Sequence, residues 1–379
     1  MPSSVDFQTV AARESALLAP YAMHSSDSAG RRHPEPDHAY RGPYQRDRDR
    51  IVHSAAYRRL SGKMQVFTGD MGDYHRTRLT HTYEVASIAR TMGRALRLNE
   101  DLIEALALFH DIGHPPFGHA GEDALDECLA DEGGFSHNRH ALVIAEELES
   151  RYPDFPGLNL TREVLDGQHV RADKAGALAA SLAPLLEVQV VDLADSITYD
   201  AHDTDDAVQL GLVTIDELLE TSLVREAAER ARRRDSRIQG KMLRLGIVHE
   251  LIDIQVGDVL AHAGRELLER DFPSALAARE ANFRLTPSPS LQERKRELEV
   301  FLYLRVYRHP RLIEVRSQAQ DRLRTIFRGY MQAPERLPTK YQRRAEHIGI
   351  ARSIGDFLAG MTDRFCDSQY RNFAGTSPA

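Results

Sequence analysis

From about Gln45 onward, apolar residues recur at intervals of three and four, the repeat of one buried helix face. In "THTYEVASIARTMGRALRL" the positions Val85, Ile88, Ala89, Met92 and Leu96 keep this spacing. "NEDLIEALALFHDIG" follows, with Asn99 as N-cap and Ile103, Leu106, Ala107 and His110 along one face. Gly113 and the pair Pro115–Pro116 stop that helix, since proline lacks the N–H a helix interior needs. The pattern next predicts a short helix over about 120–131, ending at Gly133–Gly134, and another over about 138–151. A long helix begins after Pro184. Val188, Val190 and Val191 alone suit a strand, but helical spacing continues to Val208. Further helices follow residue 214, broken at "LTPSPS" (285–290) and "APERLP" (333–338). The predicted fold class is all-α.

Composition changes the picture little. The chain has 379 residues, 42% hydrophobic and 28% charged, enough to bury a substantial core. Residues 1–38, with "HSSDSAGRRHPEPDH", read as a flexible segment. No apolar run approaches the roughly 20 residues that span a bilayer. The N-terminal stretch lacks a basic region followed by a continuous apolar one, so no secretory signal is expected. Cys128 and Cys366 give neither a disulfide framework nor a CxxC pair, and a reducing cytoplasm is the expected location. There is no internal repeat and no GxxxxGK phosphate loop.

Charge is more informative locally than globally. A net charge of −8 argues against a general nucleic-acid coat. Within 41–63, however, Arg41, Arg46, Arg48, Arg50, Arg58, Arg59 and Lys63 face only Asp47 and Asp49. Such a field suits a small anionic ligand, or else a solvated helix face.

The candidate chemistry lies where the second helix ends, in "HDIGHPPFGHAGE" (110–122). His110 continues an apolar face, and Asp111 adjoins it. A buried imidazole beside a buried carboxylate is costly unless both are paired or bound to a cation. His81 precedes Val85 and Ile88 by four and seven residues, on the buried face of its own helix. Asp195 shares a polar stripe with Tyr199, His202 and Asp203 on the long helix. Two imidazoles and two carboxylates suit a catalytic divalent metal with open water sites; structural zinc would favour thiolates. His75 and His140 flank these motifs and read as surface or supporting residues, and His53 and His169 as structural. Tyr44, Tyr57 and Tyr83 are candidates either for stacking on a base or for buried rings with bonded hydroxyls.

The order H…HD…D resembles that of the HD-domain metallophosphohydrolases. The fuller set is similar to the deoxyguanosine triphosphate triphosphohydrolase (dGTPase)-like family. It comprises "RDRDRIVHSAAYRRLSGKMQVF" (46–67), "RTRLTHTYEVASIAR" (76–90), "HDIGHPPFGHAGE", "GGFSHNRHA" (133–141) and "VDLADSITYDAHDTDDA" (191–207), with "VYRHP" (306–310) beyond. The resemblance implies an HD-type helical core over 39–213. Residues 214–379 are then a helical C-terminal region packing on it and contributing to oligomerisation. It implies one divalent metal (Mn, Mg, Fe, Co or Ni) on His81, His110, Asp111 and Asp195, with His119 as catalytic histidine and Glu122 as its supporting acid. Nucleotide-contacting positions carry over to Arg58, Gln65, Arg78, His114, His137, Tyr199 and Asp203. Two departures, Ser196 in "ADS" where many relatives have a second acid and Met64 before Gln65, adjoin the presumed sugar and phosphate contacts.

The activity so implied is hydrolysis of a deoxynucleoside triphosphate to deoxynucleoside and inorganic triphosphate. The implied partners are that substrate and further copies of the chain in an even-numbered homo-oligomer, with no membrane. A nucleotide or single-stranded DNA effector stays open. The alternatives are an HD phosphohydrolase acting on a monophosphate, cyclic dinucleotide or alarmone, and a nucleotide-binding sensor with weak catalysis.

Overall fold

The computed structural model describes residues 9–65, 76–174, 176 and 182–374. It is 72% helical, and among the described residues no strand or sheet forms, so the all-α reading holds. His75 lies outside the described residues. Among those described, no helix is long and apolar enough to cross a membrane.

The helices follow the periodicity closely. They include Arg78–Ala95, Glu100–Phe109, Gly118–Cys128 and His137–Val143, and the long helix after Pro184 runs from Leu186 to Gln209. Asn99 caps as expected, its Oδ1 accepting from the Leu102 N–H at 3.3 Å. The valine run becomes helical because Val188, Val190 and Val191 are all buried within that helix. Tertiary burial outweighs the small intrinsic cost of β-branching.

The chain folds as two compact units, each drawn from separated stretches. Unit 1 takes Met1–Arg50, Tyr83–Ala107 and Leu160–His309; unit 2 takes Ile51–Thr82, Leu108–Asn159 and Pro310–Ala379. In unit 2 the Gly118–Cys128 helix buries Ala120, Ala124 and Leu125 with Leu129. They join one apolar core with Ala319, Leu323, Ile326 and Phe327 of Pro310–Gln332 and with Ile354 and Leu358 of Ile350–Ala359. Gly121 belongs here because a Cβ would lie 1.9 Å from the Pro116 carbonyl oxygen.

In unit 1 the expectation of a flexible start is corrected for residues 9–38. Val10–Leu17 is a helix, and Ala19, Tyr21, Ala22 and Met23 are buried. Buried polar groups hold the segment: Glu187 accepts from the Met23 N–H at 2.9 Å and the Asn99 N–H at 3.2 Å, while Asn99 Nδ2 donates to the Met23 carbonyl at 2.8 Å. Composition gave a coil-like impression, but these partners satisfy the backbone in the interior.

Also in unit 1, buried Asp200 pairs with Lys295. Burial pushes the Asp200 carboxyl up to about 6, with Lys295 opposing. A carboxyl raised by folding favours the native state below its ordinary range and loses that contribution as pH rises through the raised value. Wild-type stability, measured against Asp200→Asn by urea unfolding, is therefore expected to fall between about pH 4 and about pH 6. A difference that stays constant over that window contradicts this assignment.

Candidate metal centre and active site

The helix Glu100–Phe109 ends just before His110, and the following turn keeps His110, Asp111 and His114 buried. His81 is also buried, in the first turn of Arg78–Ala95, and its ring centroid lies 5.7 Å from that of His110. Asp111 is crowded by positive and polar partners. Arg78 Nη1 donates to its Oδ2 at 2.8 Å, while His114 Nδ1 and His110 Nε2 lie 3.1 and 3.4 Å from its Oδ1. Burial alone would raise the Asp111 carboxyl, but His114, His110 and Arg78 outweigh it and hold it well below the usual carboxylate range. Asp111 is ionised. Burial and the neighbouring Arg78 push His114 well below the ordinary imidazole range, so it is neutral at pH 7. Its Nε2 has no hydrogen-bond partner among the described residues.

The "HPPFGH" turn then reverses the chain. Phe117 has φ +63° and Gly118 φ +59°; a Cβ at Gly118 would lie 2.9 Å from Arg78 Nη2 and 3.1 Å from the Gln65 carbonyl oxygen. Beyond the turn, the Gly118–Cys128 helix presents His119, whose side chain is 55% exposed, and Glu122 one turn on. Glu122 faces more than the sequence suggested. Its Oε2 lies 3.3 Å from His119 Nδ1, as the i, i+3 spacing predicts. Its Oε1 also accepts from the His137 backbone N–H at 2.9 Å and lies 2.8 Å from His137 Nδ1. Burial would raise the Glu122 carboxyl, but its hydrogen bonds with His119 and His137 prevail and hold it far below the usual range. An ionised Glu122 can only accept, so Nδ1 of each imidazole donates and each Nε2 is left for chemistry. His137 also stacks on His114, centroids 3.7 Å apart. Gly113 permits this approach, for a Cβ there would lie 2.1 Å from the His137 carbonyl oxygen.

These donors fit a divalent cation. Buried imidazoles beside an ionised carboxylate, with an orphaned imidazole nitrogen nearby, form a borderline N/O set suited to such ions. Within unit 2, ligand atoms of Asp111, His114 and His137 lie within 4.8 Å of one another, as do those of His114, His119 and Glu122.

The remaining expected residues fall as follows. Arg58 is exposed and donates to the His53 carbonyl at 2.9 Å. The Gln65 carbonyl accepts from Arg78 Nη2 at 3.2 Å, and Gln65 Oε1 is buried without a partner among the described residues. In unit 1, Asp195 is partly exposed and lies 3.5 Å from Arg171. Tyr199 stacks on Tyr307, centroids 6.0 Å apart, and buried Asp203 accepts from the Tyr307 hydroxyl. Tyr307 was not singled out beforehand, although it lies in "VYRHP". His140 is buried 3.4 Å from Asp356, while His53 and His169 are exposed. Tyr44 and Tyr57 are buried, and Tyr83 is 70% exposed.

Comparison with known proteins settles the family. An HD domain model matches residues 78–200, a span containing His81, His110, Asp111, His119, Glu122, His137 and Asp195. A phosphohydrolase-associated domain model matches 285–372. A deoxyguanosinetriphosphate triphosphohydrolase-like protein of Thiobacillus denitrificans is 40% identical over 363 residues, covering 93% of this chain and 96% of the relative. The chain belongs to the deoxyguanosinetriphosphate triphosphohydrolase-like family of HD phosphohydrolases. Like-named family members from Geobacter sulfurreducens and Caulobacter sp. are 40% and 41% identical, covering 94% and 93% of this chain and 95% of each relative. HD domains bind divalent metals, and this family member has buried His and Asp side chains within the matched span that could hold one.

Proposed function

We propose that this protein hydrolyses a deoxynucleoside triphosphate to the deoxynucleoside and inorganic triphosphate. The observation that carries the reading is Glu122 pairing with His119 and His137 beside the buried Arg78–Asp111–His114 group. The family name supports the substrate class, since its relatives are called deoxyguanosinetriphosphate triphosphohydrolase-like.

We assign His81, His110, Asp111 and Asp195 to hold one divalent ion. When bound, that ion supplies Lewis-acid polarisation of a phosphate oxygen. The protein's own residues do the rest. His119, oriented through Nδ1 by Glu122, moves a proton at the attacking or leaving oxygen through Nε2. Arg58 offsets the triphosphate charge, His114 and His137 line the triphosphate, and Arg78 adds a fixed positive charge beside Asp111. Gln65, Tyr199 and Asp203 face the sugar.

The test is product analysis with purified protein, all four common deoxynucleoside triphosphates and added divalent metals. Deoxynucleoside and inorganic triphosphate in equal amounts are expected, with activity lost to a chelator and restored by metal. Release of orthophosphate or pyrophosphate contradicts the reading and favours another HD phosphohydrolase. Separately, His119→Ala is expected to keep its metal and bind nucleotide near normally while turnover drops about 10²–10⁴-fold. Unchanged turnover, or loss of metal along with activity, refutes the role given to His119.

A further inference from the structure

We propose that Asp363, with Lys63, is a positioning residue for the active site: its carboxylate pins the strained turn that aims His119 and Glu122. The inference rests on the proton-transfer role given above to that pair. The carboxylate belongs to a residue that none of the quoted motifs contains, in the first turn of the helix Asp363–Ala374.

Phe117 is the pivotal residue. It adopts a left-handed backbone, φ +63°, immediately before the Gly118–Cys128 helix. A non-glycine residue in that region is strained and persists only where its surroundings hold it. Asp363 supplies the hold. Its Oδ1 accepts from the Phe117 N–H at 2.9 Å. Its Oδ2 accepts from the Met64 N–H, also at 2.9 Å. One carboxylate thus ties the turn to the segment whose next residue, Gln65, offers its carbonyl to Arg78, and Arg78 in turn holds Asp111.

Lys63 makes the matching bond. Its buried Nζ donates to the His114 carbonyl and, at 2.9 Å, to the Ala359 carbonyl, four residues before Asp363. Segment 359–363 therefore grips both ends of the turn, His114 through Lys63 and Phe117 directly. Contact on the other side is close, since a Cβ at Gly62 would meet Thr362 Cγ2 at 2.9 Å. A carboxylate can accept both N–H groups at once. An asparagine of the same shape has a single acceptor oxygen and sets an amide donor against the second N–H. Losing the anchor lets the turn relax, and His119 moves with it.

The experiment uses the full-length chain as Asp363→Asn, with Gln369→Ala as a control on the same helix that removes the bond from the Tyr330 hydroxyl. Hydrogen–deuterium exchange read over 114–119, metal content, kcat and KM are measured for each. In Asp363→Asn, exchange over 114–119 is expected to accelerate and kcat to fall about 10-fold to 100-fold, since small misplacements of catalytic groups cost that much. KM is expected to stay within about twofold and metal content to stay at the wild-type level. Gln369→Ala is expected to match wild type in every readout. If Asp363→Asn unfolds, Asp363→Glu, which keeps both acceptor oxygens but shifts them by a methylene, is expected to fold, to show faster exchange over 114–119 and to lose kcat by less than about 10-fold. Unchanged exchange over 114–119 in folded Asp363→Asn overturns the positioning role, whatever the substrate proves to be. Unchanged kcat, or a kcat loss that tracks metal loss, overturns it equally. A wild-type enzyme that splits no deoxynucleoside triphosphate instead overturns the functional reading, and the exchange result still decides whether Asp363 anchors the turn.

Discussion

Keeping two acids ionised among imidazoles sets the terms for the whole site. Each anion has to be met by enough donors to offset its lost hydration. Asp111 gets them from buried Arg78, with His110 and His114 alongside; Glu122 gets them from His119, His137 and a backbone N–H. Those donors come from separate helices and a turn, so the fold of unit 2 is constrained to deliver them together. Gly113 and Gly121 follow from the same need, because a side chain at either position would push backbone away.

The consequence for chemistry is a division of labour within a small volume. Arg78 and Asp111 are locked and buried, whereas His119 is exposed and reaches solvent. A rigid charged group beside an accessible imidazole of fixed tautomer is what proton transfer at a phosphate oxygen requires. The turn that joins the two parts stores backbone strain at Phe117, and the C-terminal segment restrains it.

How much of this was legible beforehand depended on range. The all-α class and the order of the helices could be read because apolar spacing is a local property, as Leu186–Gln209 shows despite its valines. Helix ends were less legible, since the α-helix expected over about 138–151 closes at Val143. The pairing of His119 with Glu122 was equally local. The bond of Glu122 to His137 joins residues 15 apart, and it depends on how closely two segments approach at Gly113. Asp363 lies 246 residues from Phe117, with no periodicity or motif to connect them. The misreading of residues 9–38 has a similar origin. Serine- and proline-rich composition signals weak local structure, but Asn99 and Glu187, far along the chain, supply the missing partners. Local pattern revealed the elements and the donors. Long-range satisfaction of buried polar groups decided how they were used.

The central claim is that ionised Glu122 fixes both neighbouring imidazoles with Nδ1 protonated. Long-range ¹H–¹⁵N correlation on histidine-labelled protein in diamagnetic buffer reads this directly, with His119→Gln and His137→Gln used to assign the signals. Near neutral pH, both rings are expected to carry a proton on Nδ1, and Glu122→Gln is expected to shift both Nδ1 signals together. A bare Nδ1 with the proton on Nε2 in either ring, or a Glu122→Gln change confined to His119, contradicts the account.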